Sequence, residues 1–232
     1  MKTKTYIREA FSAALPIMLG YVAIGVPCGI LCHSIGLGPL HVLLLSVLFY
    51  SGAGQFMIPN MVLAGAPLAS IIASVSLVNT RQMLYAASFA PQCIGVKKWL
   101  AFLFSATVTD ESFGVNASRF IVGNWSVGRA ALVNLFSQSS WTVSNVIGVI
   151  IGSAINVPVA IASFAMTSIF ICLLVTQKAT FENILTAAAA MAGVFLCKLA
   201  GLTGPAILVG ALIGVAVGMM VSALKKKGES RS

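Results

Sequence analysis

Charged side chains are scarce in this chain, so each one that interrupts an apolar run is a candidate for chemistry. No Asp, Glu, Lys or Arg occurs from Ala10 to Thr80; Arg81 then follows. Asp110 and Glu111 sit as a pair inside the apolar run that starts at Trp99. A charge at membrane depth costs about 2.5–3.5 kcal/mol on insertion scales, so it needs a reason to be there. Arg81 has the chemistry to meet a carboxylate. Burial moves a carboxyl group's titration towards neutral pH, which would let one of the two acids load and release a proton. The structural alternative is that each lies near an interface and reaches out to water along its own side chain.

Two uncharged patterns join them. The segment Phe49-Tyr50-Ser51-Gly52-Ala53-Gly54-Gln55-Phe56 is expected to unwind, because glycine reaches backbone angles closed to other residues. Freed amides and a following half-helix N-terminus can then hold an anionic group; the alternative is a tight helix crossing without a ligand. Further on, Asn134, Gln138, Trp141 and Asn145 fall on one helical face, continued by Gly148 and Gly152. A row of amides facing lipid is unfavourable, so this face points inward. It either lines a cavity, with Asn134 and Gln138 as substrate contacts, or bonds a neighbouring helix.

The elements that must position these residues are membrane helices. Hydrophobic residues make up 59% of the chain and charged residues 8%, against about a quarter charged in soluble domains. Uncharged stretches also run from Ala130 to Gln177 and from Leu199 to Leu224, and a spanning helix needs about 20 apolar residues. The alternation of a membrane β-barrel is absent. Apolar blocks are expected at about 11–35, 40–64, 67–90, from 99 onward, 130–155, 157–177, 184–200 and 204–224. Gly25-Val26-Pro27 should break or kink the first, because proline removes a backbone donor. The whole chain, 1–232, is read as one all-α membrane domain, with a basic N-terminus (1–10) and C-terminal tail (225–232).

The net charge of +9 comes in short clusters between apolar runs: Lys2, Lys4 and Arg8; Lys97 and Lys98; Lys225 to Lys227. This is the pattern of cytoplasmic loops, not of a nucleic-acid-binding stripe. Both termini are therefore expected in the cytoplasm. Arg129 and Lys178 fit the same side, whereas Lys97 and Lys98 fall outside if every early block crosses fully. The expectation is thus eight spans, or six spans plus two broken elements at Gly52–Gly54 and at Asp110. Non-helical backbone at that depth survives only when buried or lining a cavity. Gly25 and Gly29, and Gly210, Gly214 and Gly218, read as faces for close helix packing. A faint echo links Leu48-Phe49-Tyr50-Ser51 with Leu135-Phe136-Ser137-Gln138.

Enzyme signatures such as His-Glu-x-x-His, a phosphate loop or a dinucleotide fingerprint are missing. His33 and His41 fall near the loop between the first two blocks, and nothing in the sequence sets a serine beside either. Cys28, Cys32 and His33 lack a second ligand pair for a metal, and neither a metal nor a cofactor is expected.

In order along the chain, Pro16 with Gly25-Val26-Pro27, the run 49–56, Asn79-Thr80-Arg81 and Thr109-Asp110-Glu111-Ser112 resemble the AzlC family, the large subunits of branched-chain amino acid exporters. The resemblance covers about 1–224. It implies a bacterial inner-membrane exporter of valine, leucine, isoleucine and similar residues such as methionine. It also implies a small hydrophobic partner of the AzlD type. It carries over to Ser51, Gly52, Gly54, Gln55, Asn79, Arg81, Thr109, Asp110 and Glu111. Gln82 stands where family members often have histidine. The reading is a secondary transporter working by alternating access and proton exchange, with Asp110 and Glu111 as coupling residues. The alternatives are a passive channel or facilitator for another small solute, and a non-transporting sensor or assembly subunit.

Overall fold

In the computed structural model, residues 2–155, 157–175, 180–201 and 206–229 are described. They form α1 (Lys2–Ser34), α2 (Pro39–Leu48), α3 (Gly52–Leu63), α4 (Leu68–Ser88), α5 (Lys98–Ala106), α6 (Asp110–Val122), α7 (Val127–Ala154), α8 (Val159–Val175), α9 (Phe181–Leu199) and α10 (Ala206–Glu229), with a short 3₁₀ turn at Ala90–Cys93. No strand occurs among the described residues. The protein is an all-α membrane protein, and large apolar side chains such as Leu19, Ile150, Phe164, Phe195 and Met219 face outward. On a water-exposed surface such contiguous apolar area would drive association; in a membrane it faces hydrocarbon. Thr5–Ser34, with a mean hydropathy of 2.0, is the one described helical segment long and apolar enough to span by itself. α7, of 28 residues, falls short because amides and hydroxyls interrupt its apolar sequence.

The chain forms two compact units, 1–59 with 78–166 and 60–77 with 167–232. In the first, α1 and α7 pack in parallel. Phe11 meets Phe136 edge-on at 5.4 Å. Higher up, Ser140 and Ser144 donate to the carbonyls of Met18 and Tyr21 at 2.8 and 3.0 Å. The backbones approach because the contact is built from glycine. A Cβ on Gly148 would fall on the Val26 carbonyl, and one on Gly29 would fall on that of Asn145. Gly25 joins the same seam against Ser144. α1 runs unbroken through Pro16 and Pro27, so of the break or kink expected at Gly25-Val26-Pro27 the break does not occur. The glycine serves the crossing with α7 instead.

Two elements in this unit are interrupted. α2 and α3 are separated at residues 49–51, and α5 and α6 at 107–109. α5 and α6 form a hairpin returning to the end it came from. Leu100 of α5 lies near Gly128 at the start of α7, the break lies beside Asn134, and Val122 shares a cavity with Arg8 and Arg129. Lys97 and Lys98 therefore lie at the same end of the unit as the chain's N-terminal residues. The repeated theme is helix, three-residue break, helix, and it links 39–63 with 98–122. The faint sequence echo instead paired 48–51 with 135–138, which lies within continuous α7.

In the second unit α9 and α10 pack antiparallel. Gly218, Gly214 and Gly210 face Thr186, Ala190 and Val194 in turn. Thr180 caps α9 by accepting the Asn183 amide at 3.3 Å. Lys178, expected on the cytoplasmic side, and residues 230–232 of the C-terminal tail lie outside the described residues.

Candidate functional site

Each break ends in a hydroxyl that starts the next half-helix. At the first, Ser51 Oγ accepts the Gly54 amide at 3.1 Å, and the Ser51 carbonyl accepts the Gln55 amide at 2.9 Å. Ser51 is thus the cap of α3. Gly52 and Gly54 lie inside the helix's first turn rather than in an unwound loop, and neither is among the glycines with positive φ. That corrects the expectation for the segment. Gly54 is needed for space: a Cβ would stand 2.9 Å from both the Phe49 ring and Ser51 Oγ. At the second break Thr109 and Ser112 cap α6 reciprocally. Ser112 N donates to Thr109 Oγ1 at 3.4 Å, and Thr109 N to Ser112 Oγ at 2.9 Å.

The polar face of α7 serves these breaks. Helix ends leave unpaired carbonyls, and α7 supplies donors to them. Gln138 Nε2 donates to the Val47 carbonyl at 3.0 Å and the Ser46 carbonyl at 3.4 Å, at the end of α2. Asn134 Nδ2 donates to the Phe104 carbonyl at 3.1 Å and to Thr107 Oγ1 at 3.2 Å, at the end of α5. Asn134 Oδ1 accepts from Asn116 at 3.0 Å, which in turn accepts the Trp125 indole N–H at 3.1 Å. Gln55 closes the other end of the first break. Its amide donates to the Phe49 carbonyl at 2.8 Å, while its oxygen accepts the Trp141 indole N–H at 2.6 Å. Of the two readings of the stripe, the structure displays the second, bonding to neighbouring elements. Asn145 donates to the Trp141 carbonyl within α7 at 2.8 Å.

α4 and α1 tie the two breaks together. Ser51 Oγ donates to Asn79 Oδ1 at 2.6 Å, and two residues on, Arg81 pairs with Asp110 at 2.8 Å. One helix thus touches the cap of α3 and the first residue of α6. On the α1 side, Tyr21 Oη donates to Glu111 Oε2 at 2.6 Å and lies 2.9 Å from Thr109 Oγ1. Its ring meets Tyr50 edge-on at 6.4 Å and Trp141 at 5.2 Å. Two half-helix N-termini therefore converge around Tyr21, Asn79 and Arg81, with their positive dipole ends and early amides in one region. Two buried polar atoms there have no hydrogen-bond partner, Tyr50 Oη and Arg81 Nε. Buried polar atoms are nearly always paired, so Arg81 Nε has room for a further acceptor, whereas the Tyr50 hydroxyl interacts with the Tyr21 and Thr109 hydroxyls beside it.

Ser51, Gln55, Asn79, Arg81, Asp110 and Glu111 thus come together, while Gly52 packs beneath the Trp141 ring. Sequence reasoning missed Tyr21. Its signal was a lone phenol in an otherwise apolar stretch of α1. It also missed Asn116, fully buried on α6, and named Ser112, equally buried, only as part of the motif at 109–112. His41 accepts the Gly38 amide at 3.3 Å at the start of α2, and His33 packs on Gly152; neither is in the cluster.

Comparison with known proteins agrees with the resemblance. Residues 16–155, which contain every residue of the cluster, match the family described as AzlC protein. The chain belongs to the AzlC family. Among curated relatives, the Bacillus subtilis branched-chain amino acid transport protein AzlC is 28% identical over 73% of this chain and 67% of its own length. The Escherichia coli inner membrane protein YgaZ is 28% identical over 94% of this chain and 89% of its own. A Helicobacter pylori membrane protein is 30% identical over 76% and 77%. No solved structure matches this AzlC-family chain.

Proposed function

We propose that this chain is the large subunit of a secondary transporter that exports neutral, chiefly branched-chain amino acids across a bacterial inner membrane. It works with a small hydrophobic AzlD-type partner and is driven by proton exchange. The observation that carries the reading is the Arg81–Asp110 pair at the N-terminus of α6, beside the capped N-terminus of α3. An amino acid zwitterion presents one carboxylate and one ammonium. Arg81 and the half-helix amides suit the carboxylate, and Asp110 suits the ammonium, so substrate enters by exchanging partners with the ion pair. Arg81 Nε, without a hydrogen-bond partner, offers a further donor, and the Tyr21, Phe56 and Trp141 rings offer an apolar wall. The named transport role of the Bacillus subtilis relative supports the substrate class.

The two acids take different parts in this cycle. Asp110 is engaged by a cation; Glu111 is held by a phenol. Proton uptake at Glu111 competes with donation from Tyr21, releases that phenol and loosens Thr109 at the start of α6. In the membrane, six full spans, α1, α4, α7, α8, α9 and α10, and two broken elements entering to mid-depth put both termini and Lys97 in the cytoplasm, in keeping with the positive-inside rule.

Glu111→Gln and Asp110→Asn, each reconstituted with the partner, test the division. Glu111→Gln is expected to exchange valine between compartments but lose acceleration by a pH gradient. Asp110→Asn is expected to lose exchange itself. Gradient-driven transport at the parent rate in both variants would refute the assignment.

A further inference from the structure

A separate site lies at the end of the first unit that carries the N-terminus. A cavity of about 560 Å³ opens between the start of α1, the end of α6 and the start of α7, lined by Arg8, Glu9, Ser12, Arg119, Trp125 and Arg129 among others. Its charges do not balance. Arg129 Nε lies 3.1 Å from Glu9 Oε2, its Nη1 donates to the Asn124 carbonyl at 2.5 Å, and its guanidinium lies over the Tyr6 ring at 4.8 Å. Arg129 is thus committed to the fold. Arg119 rests over the Trp125 ring at 5.5 Å and, like Arg8, makes no ion pair among the described residues. The chain has five acidic residues. Asp110 is taken by Arg81, Glu111 by Tyr21 and Glu9 by Arg129; Glu182 and Glu229 belong to the second unit. No carboxylate of this unit is left for Arg8 and Arg119.

Two arginines facing one cavity whose lining carboxylate, Glu9, is already paired with Arg129 select an anion, and arginine's planar fork matches phosphate oxygens. The surroundings narrow the source. Ile121 and Val122, at the end of α6, are more than four-fifths exposed, and Ile7 and Phe11 are exposed on α1. Basic pockets flanked by apolar helix surface at the membrane edge suit a headgroup with its acyl chain alongside, and Trp125 has the amphipathic ring that favours this depth. We infer that this cavity binds the phosphate of an anionic phospholipid through Arg8 and Arg119, independently of the transport site. The shared chemistry with a free anion is the phosphate group; the apolar flank assigns it to lipid.

The full-length protein in mild detergent is titrated with phosphatidylglycerol, phosphatidylcholine or inorganic phosphate and read by native mass spectrometry. Phosphatidylglycerol is expected to bind in preference to phosphatidylcholine, and inorganic phosphate at millimolar concentration is not expected to displace it. The double change Arg8→Gln with Arg119→Gln should weaken phosphatidylglycerol by about tenfold or more, the factor expected for losing a charge-assisted hydrogen bond. Arg8→Lys with Arg119→Lys should keep most of it. Equal binding of the two lipids by the unaltered protein overturns the proposal whatever the variants do. So does parent-like affinity in a folded Gln pair, or displacement by inorganic phosphate, which would mark a free-anion site.

Discussion

Asn134→Leu separates a structural role for the α7 amides from a substrate-binding one. Asn134 is fully buried and joins three partners, the Phe104 carbonyl, Thr107 Oγ1 and Asn116 Nδ2. The Phe104 carbonyl keeps the Thr107 amide at 3.3 Å and the Thr107 hydroxyl keeps the Leu103 carbonyl at 2.7 Å, so the loss falls mainly on Asn116 Nδ2, of a residue itself fully buried. A hydrogen bond contributes about 1 kcal/mol net in proteins and about 0.6 kcal/mol on average between membrane helices. Three of them give a loss of about 2–3 kcal/mol. Equilibrium unfolding in mixed detergent–SDS micelles, followed by tryptophan fluorescence, measures it. The substitution should lower stability by that amount and leave the KM for valine of the folded fraction within about twofold. A loss below about 0.5 kcal/mol, or unchanged stability with a KM raised tenfold, would refute the reasoning and return Asn134 to the substrate site.

The seam between α1 and α7 makes its own prediction. Gly148→Ala should cost about 1–3 kcal/mol by overpacking, since its Cβ would meet the Val26 carbonyl and stand 3.0 Å from the Gly29 Cα. Gly20→Ala, with open space around it, should be neutral or stabilising in the same unfolding assay. The hairpin of α5 and α6 predicts that Lys97→Cys reacts with an impermeant thiol reagent from the side that carries the N-terminus. A cysteine replacing Leu37, in the turn between α1 and α2, should react from the opposite side; labelling of Lys97→Cys from that side would contradict the hairpin.

Much of this was legible in the sequence. Composition fixed the class, and each apolar block became a helix or an interrupted pair near its expected ends, except that α1 begins at Lys2 and takes in the basic N-terminus expected outside the first block. The breaks fell just ahead of Gly52–Gly54 and Asp110, at 49–51 and 107–109, because the hydroxyls of Ser51 and Thr109 cap the helices that follow. The sequence misled where residue type has two uses. Glycine at 52 and 54 was read as conformational freedom, but both lie in the first turn of α3, and at Gly54 the structure uses the small volume against Phe49 and Ser51. The proline of Gly25-Val26-Pro27 was read as breaking or kinking the first block, and α1 continues through it without a break as it packs along α7. The pairing of Arg81 with Asp110 and of Tyr21 with Glu111 joins residues far apart in the chain. Periodicity along one helix carries no information about such contacts.

The central claim, that two capped half-helices and an ion pair form an amino acid binding site in a proton-linked carrier, is tested most directly by counterflow. Radiolabelled L-valine is supplied outside proteoliposomes holding unlabelled valine, with and without the small partner, at two pH gradients. The account predicts that label accumulates inside and that its rate follows the gradient. If neither valine nor methionine moves with the partner present, the site does not serve amino acid transport.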